Sequence, residues 1–123
     1  MKLAWTTIYV KDMEESLKYY VELIGLNIHH RLTQPDVDLV FLGNDDEALL
    51  ELIEDKAVKQ VDLKGNFSIG IQVESAIEII DKLQKEGYEL IGGPIQPNVI
   101  TKFWFVKDPD GLRVQLVEID ESA

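Results

Sequence analysis

The pattern of apolar and polar residues at the start of the chain predicts a strand followed by a helix. Leu3 to Val10 is predicted as a strand. An apolar stripe follows at helical spacings of four, three and four residues: Met13, Leu17, Tyr20 and Ile24. Asp12 is the predicted N-cap, Glu15 completes a capping box, and Gly25 is the predicted end. We therefore expect a helix over about Met13 to Ile24.

Three more strands are predicted after this helix. Ile28 to Thr33, Val37 to Leu42 and Ala48 to Ile53 are apolar segments of strand length. Turn-forming residues separate them, at Gln34 to Asp36 and at Gly43 to Asp46. The first half of the chain is therefore predicted as strand, helix and three strands.

The second half begins with the same pattern. Phe67 to Val73 is predicted as a strand, and Ser75 with Glu78 forms a second capping box. A second apolar stripe has helical spacing: Ala76, Ile79, Ile80 and Leu83. Gly87 is the predicted end, so we expect a helix over about Ala76 to Glu86.

Three strands are again predicted after the second helix. They are Tyr88 to Ile91, a segment around Lys102 to Val106, and a segment after Gly111, with a turn predicted at Gly92-Gly93-Pro94. Trp104 lies in a segment that is apolar on both faces, so periodicity assigns its side chain to neither face.

The two halves are copies of one βαβββ plan. The predicted strand ends Val10 and Val73 are 63 residues apart, and the predicted helix ends Gly25 and Gly87 are 62 apart. A repeat of this length indicates a duplicated module. We predict an α+β fold in a single domain over residues 1–123, with modules at about 1–55 and 66–119. The two curved mixed sheets are expected to form a shared cleft, with the helices outside and the charged segment Asp55 to Gly65 as the connection.

Composition limits the classes of partner. Twelve Lys and Arg against 23 Asp and Glu give a net charge of −11, which disfavours nucleic acid and anionic membrane surfaces. The charge is foremost a source of solubility, and it also attracts cationic small molecules. The chain has no cysteine and no apolar segment of membrane-spanning length, and we expect no signal peptide. A cytoplasmic location is expected.

The segment Asp108-Pro109-Asp110-Gly111 is predicted as a tight turn before a strand with alternating faces. This turn, together with Ile8 to Tyr20 and Leu23 to Leu26, resembles the vicinal-oxygen-chelate superfamily. That superfamily includes glyoxalase I, bleomycin-resistance proteins and extradiol dioxygenases. The resemblance covers essentially the whole chain, and it implies a homodimer.

The resemblance also implies four positions that hold a divalent metal in metal-dependent members. They fall on Trp5, Glu51, Ser68 and Gln115 of this chain. Only Glu51 keeps an ordinary ligand, since indole does not bind metals and serine and amide oxygens bind them weakly. We therefore expect no divalent metal cofactor at these positions.

Strand alternation from the same positions predicts which side chains line the cleft. The predicted ligand-binding residues are polar or aromatic: Trp5, Thr7, Tyr9, Glu51, Ser68, Gln72, Arg113 and Gln115. The opposite parity is apolar throughout and is expected under the helices: Ile8, Val10, Ile69, Ile71, Val73, Val114 and Leu116. A shift of one residue would bury glutamines under a helix, which supports this register.

Other polar residues leave alternatives open. Glu51 is expected either to contact a ligand or to form an ion pair with Arg113. His29 and His30 are adjacent on one predicted strand, so they are expected on opposite faces and unable to chelate together. Either histidine is expected at the surface, or in an irregular site with Glu51 and Asp38.

Three functions are compatible with these observations. The first is a protein that binds a small, aromatic or cationic molecule in the cleft without a metal, with Trp5, Tyr9 and Trp104 as candidate stacking residues. The second is a lyase, isomerase or dioxygenase of the glyoxalase kind, with Glu51 as the candidate catalytic proton acceptor. The third is a non-catalytic dimer with a filled cleft.

Overall fold

The computed structural model describes residues 1–58, 61 and 66–122. The chain divides into two compact units, Met1–Val61 and Asp62–Ala123. Each unit contains one four-stranded mixed sheet with helical structure between its first and second strands. The predicted α+β fold with two βαβββ modules is therefore confirmed. No helix among the described residues is long and apolar enough to span a membrane.

The first unit has its strands in the order β1-β4-β3-β2. Its elements are β1 (Trp5–Tyr9), α1 (Met13–Leu17), a π-helical segment (Lys18–Ile24), β2 (Ile28–Thr33), β3 (Val37–Leu42) and β4 (Leu49–Asp55). Strand β1 runs parallel to β4, and the other two pairs are antiparallel. The first and fourth strands of the module are thus neighbours, although the helix and two strands separate them in sequence.

The second unit repeats this topology with the order β5-β8-β7-β6. Its elements are β5 (Ser68–Gln72), α2 (Ala76–Lys85), β6 (Leu90–Asn98), β7 (Thr101–Lys107) and β8 (Arg113–Ile119). Strand β5 runs parallel to β8, and β6–β7 and β7–β8 are antiparallel.

Each helix begins at the predicted cap and is also held by a glutamate from the sheet. Asp12 Oδ1 accepts hydrogen bonds from the backbone N–H groups of residues 14 and 15, and Ser75 Oγ accepts one from residue 78. Glu54 Oε1 accepts the N–H of Met13 at 2.5 Å, and Glu118 Oε2 accepts the N–H of Ala76 at 2.8 Å. These carboxylates satisfy N–H groups that have no partner within the helix.

The first helix extends to the predicted residue but changes its hydrogen-bonding pattern. From Lys18 to Ile24 it is π-helical, and Gly25 ends it with φ 107°. Tyr19 and Tyr20, consecutive in sequence, are both fully buried, with ring centroids 5.0 Å apart. A wider π-helical turn changes the angular spacing of side chains, so both rings fit on the core side.

The predicted division of the strands into two faces is observed. Ile8, Val10, Ile71, Val114 and Leu116 are buried. The two remaining members of the predicted helix-facing set, at positions 69 and 73, are half-buried. The strand register derived from the sequence is therefore confirmed.

Two predicted turns have different outcomes. At Asp108, the carboxylate accepts N–H bonds from Asp110 at 2.8 Å and Leu112 at 2.9 Å, which confirms that turn. The turn predicted at Gly92-Gly93-Pro94 is wrong, because these residues lie within the irregular edge strand β6. An edge strand tolerates proline since one side of its backbone has no partner strand.

Candidate functional site

One face of the first sheet carries a row of polar and aromatic side chains. The register pairs Thr7 with Glu51, Glu51 with Phe41, and Phe41 with His30, so this row crosses all four strands. The opposite face carries the buried residues that pack under α1. The row therefore lies on the face that the helix leaves uncovered.

Glu51 is the most enclosed polar residue of this row. Glu51 is only 8% exposed, and its Oε1 accepts a hydrogen bond from Thr7 Oγ1 at 2.6 Å. Thr7 and Glu51 are direct neighbours on parallel strands, which holds the carboxylate in one orientation. The ion pair between Glu51 and Arg113 stays a prediction, and Thr7 is the partner observed within the first unit.

Trp5 precedes Thr7 on β1 and lies on the same face. It is 52% exposed, and its ring meets Phe41 edge-on with centroids 5.5 Å apart. Phe41 in turn stacks on His30 at 4.4 Å and 14°. We call Trp5, Phe41 and His30 the aromatic row. Tyr9, also on β1, is 42% exposed.

Phe41 was not among the predicted site residues, and His30 was considered only for an irregular site with Glu51 and Asp38. Phe41 could have been found, because the predicted hairpin of β3 and β4 pairs it with Glu51 and puts both on one face. The position of His30 on this face could not have been predicted, because a bulge shifts the register of β2 between Ile28 and His30. Alternation counted along the sequence fails at such a bulge.

The prediction that His29 and His30 point to opposite faces is wrong, and the same bulge is the reason. Their Nδ1 atoms are 2.7 Å apart, and His29 Nε2 is 2.6 Å from Asp45 Oδ1. An extra residue in β2 is unpaired at this point, so consecutive side chains turn toward one another.

The suggested site of a histidine with Glu51 and Asp38 does not form. Asp38 accepts hydrogen bonds from Arg31, at 3.1 Å and 2.6 Å, and Arg31 also donates to Glu14 at 2.9 Å. The hydrogen bonds that Arg31 donates to Asp38 lower the pKa of the Asp38 carboxyl, and the bonds that Arg31 donates to Asp38 and Glu14 raise its own pKa. Asp38 is therefore part of an ion pair that links β2 and β3 to the first helix.

The corresponding face of the second sheet carries the other predicted site residues. Ser68, Gln72 and Arg113 are exposed, and Gln115 is half-buried. Gln115 Nε2 donates to Ser68 Oγ at 3.1 Å, and Gln72 Nε2 donates to Glu121 Oε1 at 2.8 Å. Ser68 and Gln115, two of the four predicted residues, are thus hydrogen-bonded to each other.

Trp104 does not belong to this face. It is 5% exposed and pairs with Leu116, whose side chain is buried under α2. The hypothesis that Trp104 stacks on a ligand is therefore wrong. Its neighbours Phe103 and Phe105 point the other way, with ring centroids 5.6 Å apart, and contribute aromatic surface beside Gln115.

The four positions implied by the resemblance do not suit a divalent metal. Trp5 offers an indole ring, Ser68 and Gln115 are hydrogen-bonded to each other, and Glu51 is bonded to Thr7. One carboxylate with two neutral oxygens is a poor donor set for metals that prefer imidazole. Over residues 1–58, 61 and 66–122, no group of three or more His, Cys, Asp or Glu side chains is placed to hold a metal ion.

Comparison with known proteins agrees with the fold. A probable lactoylglutathione lyase of Synechocystis sp. is 29% identical over 126 residues, covering 96% of this chain and 95% of the relative. The trypanothione-dependent glyoxalase I of Leishmania major superposes with a TM-score of 0.81 and 25% identity, covering 99% of this chain and 88% of that one. An antibiotic-binding protein of Streptomyces sp. shares the fold, with a TM-score of 0.69, 16% identity and coverage of 97% and 96%.

A family model also matches almost the entire chain. It spans residues 2–116 and includes both βαβββ units up to the middle of β8. The chain belongs to the glyoxalase/bleomycin resistance protein/dioxygenase superfamily.

Proposed function

We propose that this protein binds a small aromatic or cationic molecule on the uncovered face of its sheets, without the divalent metal of metal-dependent relatives. One observation carries the proposal. An exposed aromatic side chain, Trp5, lies on the same sheet face as Glu51, an enclosed carboxylate that Thr7 orients. An aromatic ring on one face with a fixed negative charge favours a flat or positively charged ligand.

Each side chain has a definable part in this proposal. Trp5 offers a ring that is backed edge-on by Phe41, so it is held in place for stacking. Glu51 supplies charge in a site that excludes part of the solvent, where electrostatic attraction is stronger than in water. Tyr9 extends the aromatic surface. The other predicted ligand-binding residues stay a prediction: Ser68, Gln72, Arg113 and Gln115.

The experiment is a fluorescence titration with a matched pair of probes. Naphthylmethylammonium and naphthylmethanol share one aromatic group and differ in charge. We expect the cation to quench Trp5 and to bind more tightly than the alcohol. Trp5→Ala should weaken binding by about 1–3 kcal/mol if the contact resembles other aromatic platforms.

Two controls make the titration specific. Glu51→Gln should remove the preference for the cation and keep the aromatic contact. Ile77→Ala changes an exposed apolar residue of α2 and should leave binding unchanged. Equal binding of both probes to the unmodified protein and to Trp5→Ala would contradict the proposal.

A second candidate is catalysis of the kind named in the relatives, in which Glu51 acts as proton acceptor. Two observations favour it: relatives are named lactoylglutathione lyases, and Glu51 occupies the one position that keeps a carboxylate. Formation of the lactoylglutathione thioester from glutathione and the matching 2-oxoaldehyde, assayed with and without added Ni²⁺ or Zn²⁺, tests this candidate. Turnover that is abolished in Glu51→Gln would establish it.

A further inference from the structure

We infer that His29 and His30 form a binding site for a divalent transition metal, separate from the four positions implied by family resemblance. Their Nδ1 atoms are 2.7 Å apart. Imidazole nitrogens bound to one ion at about 2.1 Å and at right angles lie about 3.0 Å apart. The two nitrogens would therefore admit an ion if they moved apart by a few tenths of an ångström and the rings turned so that both lone pairs converge on one point.

The hydrogen bond to Asp45 prepares His29 for this role. An ionised carboxylate only accepts hydrogen bonds, so His29 donates its Nε2 proton to Asp45 Oδ1 at 2.6 Å. Neutral His29 then carries its lone pair on Nδ1, where it accepts the Nδ1 proton of His30. Metal binding requires that His30 release this proton to water and take up its other tautomer, protonated on Nε2, so that both Nδ1 atoms offer a lone pair. A carboxylate that fixes the tautomer of a metal-binding histidine in this way also raises the basicity of the ring.

His30 is held in position by a different contact. Its ring stacks on Phe41 at 4.4 Å and 14°, which leaves the edge with Nδ1 directed at His29. Metal binding makes an imidazole more positive, and a positive ring over an aromatic face is favourable. Both histidines are exposed residues, so solvent and ions reach them and water can complete the coordination.

The surroundings attract cations. His29 borders a cavity of about 480 Å³ at the β3–β4 turn, which also contains three carboxylates, from Asp45, Asp46 and Glu47, and one ammonium, from Lys2. This excess of negative charge raises the local concentration of divalent ions. Imidazole donors select copper, nickel and zinc over magnesium and calcium, and affinity should be highest for Cu²⁺.

The histidine pair does not include Glu51, which lies on β4, and β3 separates that strand from β2. The test of the inference is a competitive titration of EDTA-treated, full-length protein with Cu²⁺ and Ni²⁺ in a non-coordinating buffer. We expect His29→Ala and His30→Ala each to weaken binding at least tenfold. Glu51→Gln and added Mg²⁺ should have no effect.

Two further measurements separate this site from other metal contacts. In the electron paramagnetic resonance spectrum of the Cu²⁺ form, we expect hyperfine coupling from two nitrogens, reduced to one in His30→Ala. Asp45→Ala should weaken binding about tenfold, whereas Asp46→Ala removes the same charge nearby and should have a smaller effect. Unchanged Cu²⁺ affinity in the His29→Ala/His30→Ala double variant, or coupling from a single nitrogen in the unmodified protein, would overturn the inference.

Discussion

At the scale of single residues, the hydrogen bond between Thr7 and Glu51 decides how the site carboxylate is held. Strand alternation predicted from the sequence that both side chains share a face, and the structure shows this contact. The sequence left the partner of Glu51 open, because the pairing of β1 with β4 joins residues 44 positions apart.

Thr7→Val tests this contact, since it removes the hydroxyl and keeps the shape of the side chain. Leaving an enclosed carboxylate without its hydrogen bond should lower the free energy of unfolding by about 1–3 kcal/mol. Urea unfolding of Thr7→Val, Glu51→Gln and the double variant measures the coupling between the two residues. Additive effects would mean that the two side chains do not interact in solution.

The ion pair of Arg31 with Asp38 gives a residue-scale prediction for pH. Hydrogen bonds from Arg31 lower the pKa of Asp38, so Asp38 stabilises the fold above the pKa of the unfolded chain, about 3.9. This stabilisation is lost as the pH falls through the lower pKa of the folded state. Asp38→Asn should therefore lower stability at pH 7 and have a progressively smaller effect below about pH 4.

Unfolding by urea at several pH values between 7 and 2 measures this dependence. Asp36→Asn makes the same change of charge at an exposed position in the neighbouring turn and serves as the control. A destabilisation by Asp38→Asn that is equal at all pH values would contradict the assignment.

At the scale of elements, the sequence predicted most of the fold because its signals are local. The bounds of β2 and β3, the caps Asp12 and Ser75, and the turn at Asp108 follow from periodicity and from residues that bond to nearby backbone. The bulge in β2 and the extent of β6 depend on pairing with β3 and β7, and no local pattern encodes them.

Glu54 and Glu118 illustrate a contact that local patterns miss. Each caps a helix about 42 residues away in sequence, and the two occupy equivalent positions on the last strands of the two units. We expect Glu118→Ala to lower the free energy of unfolding by about 1 kcal/mol, since it removes a hydrogen-bonded charge from the N-terminus of α2.

Thermal unfolding followed by circular dichroism tests this prediction. The neighbouring residue Glu121 bonds to a side chain of β5 rather than to a helix, and Glu121→Ala is the control. Equal midpoints for the two variants would show that the cap contributes nothing measurable.

Strand β6 offers a sharper test, because it contains two adjacent glycines with different surroundings. Gly93 has φ +116°, and a Cβ there would lie 2.8 Å from Trp104 Cα, whereas a Cβ at Gly92 would meet nothing within 4 Å. Gly93→Ala should therefore destabilise the protein by more than about 1 kcal/mol, and Gly92→Ala should do so much less. Similar unfolding midpoints for the two variants would contradict the described path of β6.

At the scale of the whole molecule, assembly stays a prediction. Each sheet ends in strands with unpaired edges, and the β6 edge carries the exposed apolar residues Leu90, Ile91 and Ile95. Open edges and exposed apolar surface favour pairing with a second chain. Sedimentation should give about twice the chain mass of 14.0 kDa, and a monomer at high concentration would contradict the homodimer.

The predicted shared cleft requires Trp5 and Glu51 of one unit to lie close to Ser68 and Gln115 of the other, within a chain or across a dimer. The triple variant Trp5→His, Ser68→His and Gln115→Glu tests this directly. If the four positions meet, it supplies two imidazoles and two carboxylates, and Ni²⁺ or Zn²⁺ should bind tightly. His29→Ala and His30→Ala are added to every protein in the series, so that binding at the histidine pair does not contribute.

Addition of Glu51→Gln to this background should then abolish metal binding, because the variant loses a ligand from a complete set. A mixture of two proteins separates the two forms of the cleft. One carries only Trp5→His, the other carries only Ser68→His and Gln115→Glu, and the mixture is titrated with Ni²⁺ or Zn²⁺. Binding that is restored on mixing indicates a site shared between chains, and binding that needs all four ligands in one chain indicates a site within it. A triple variant that folds and binds no metal would show that the four positions do not converge.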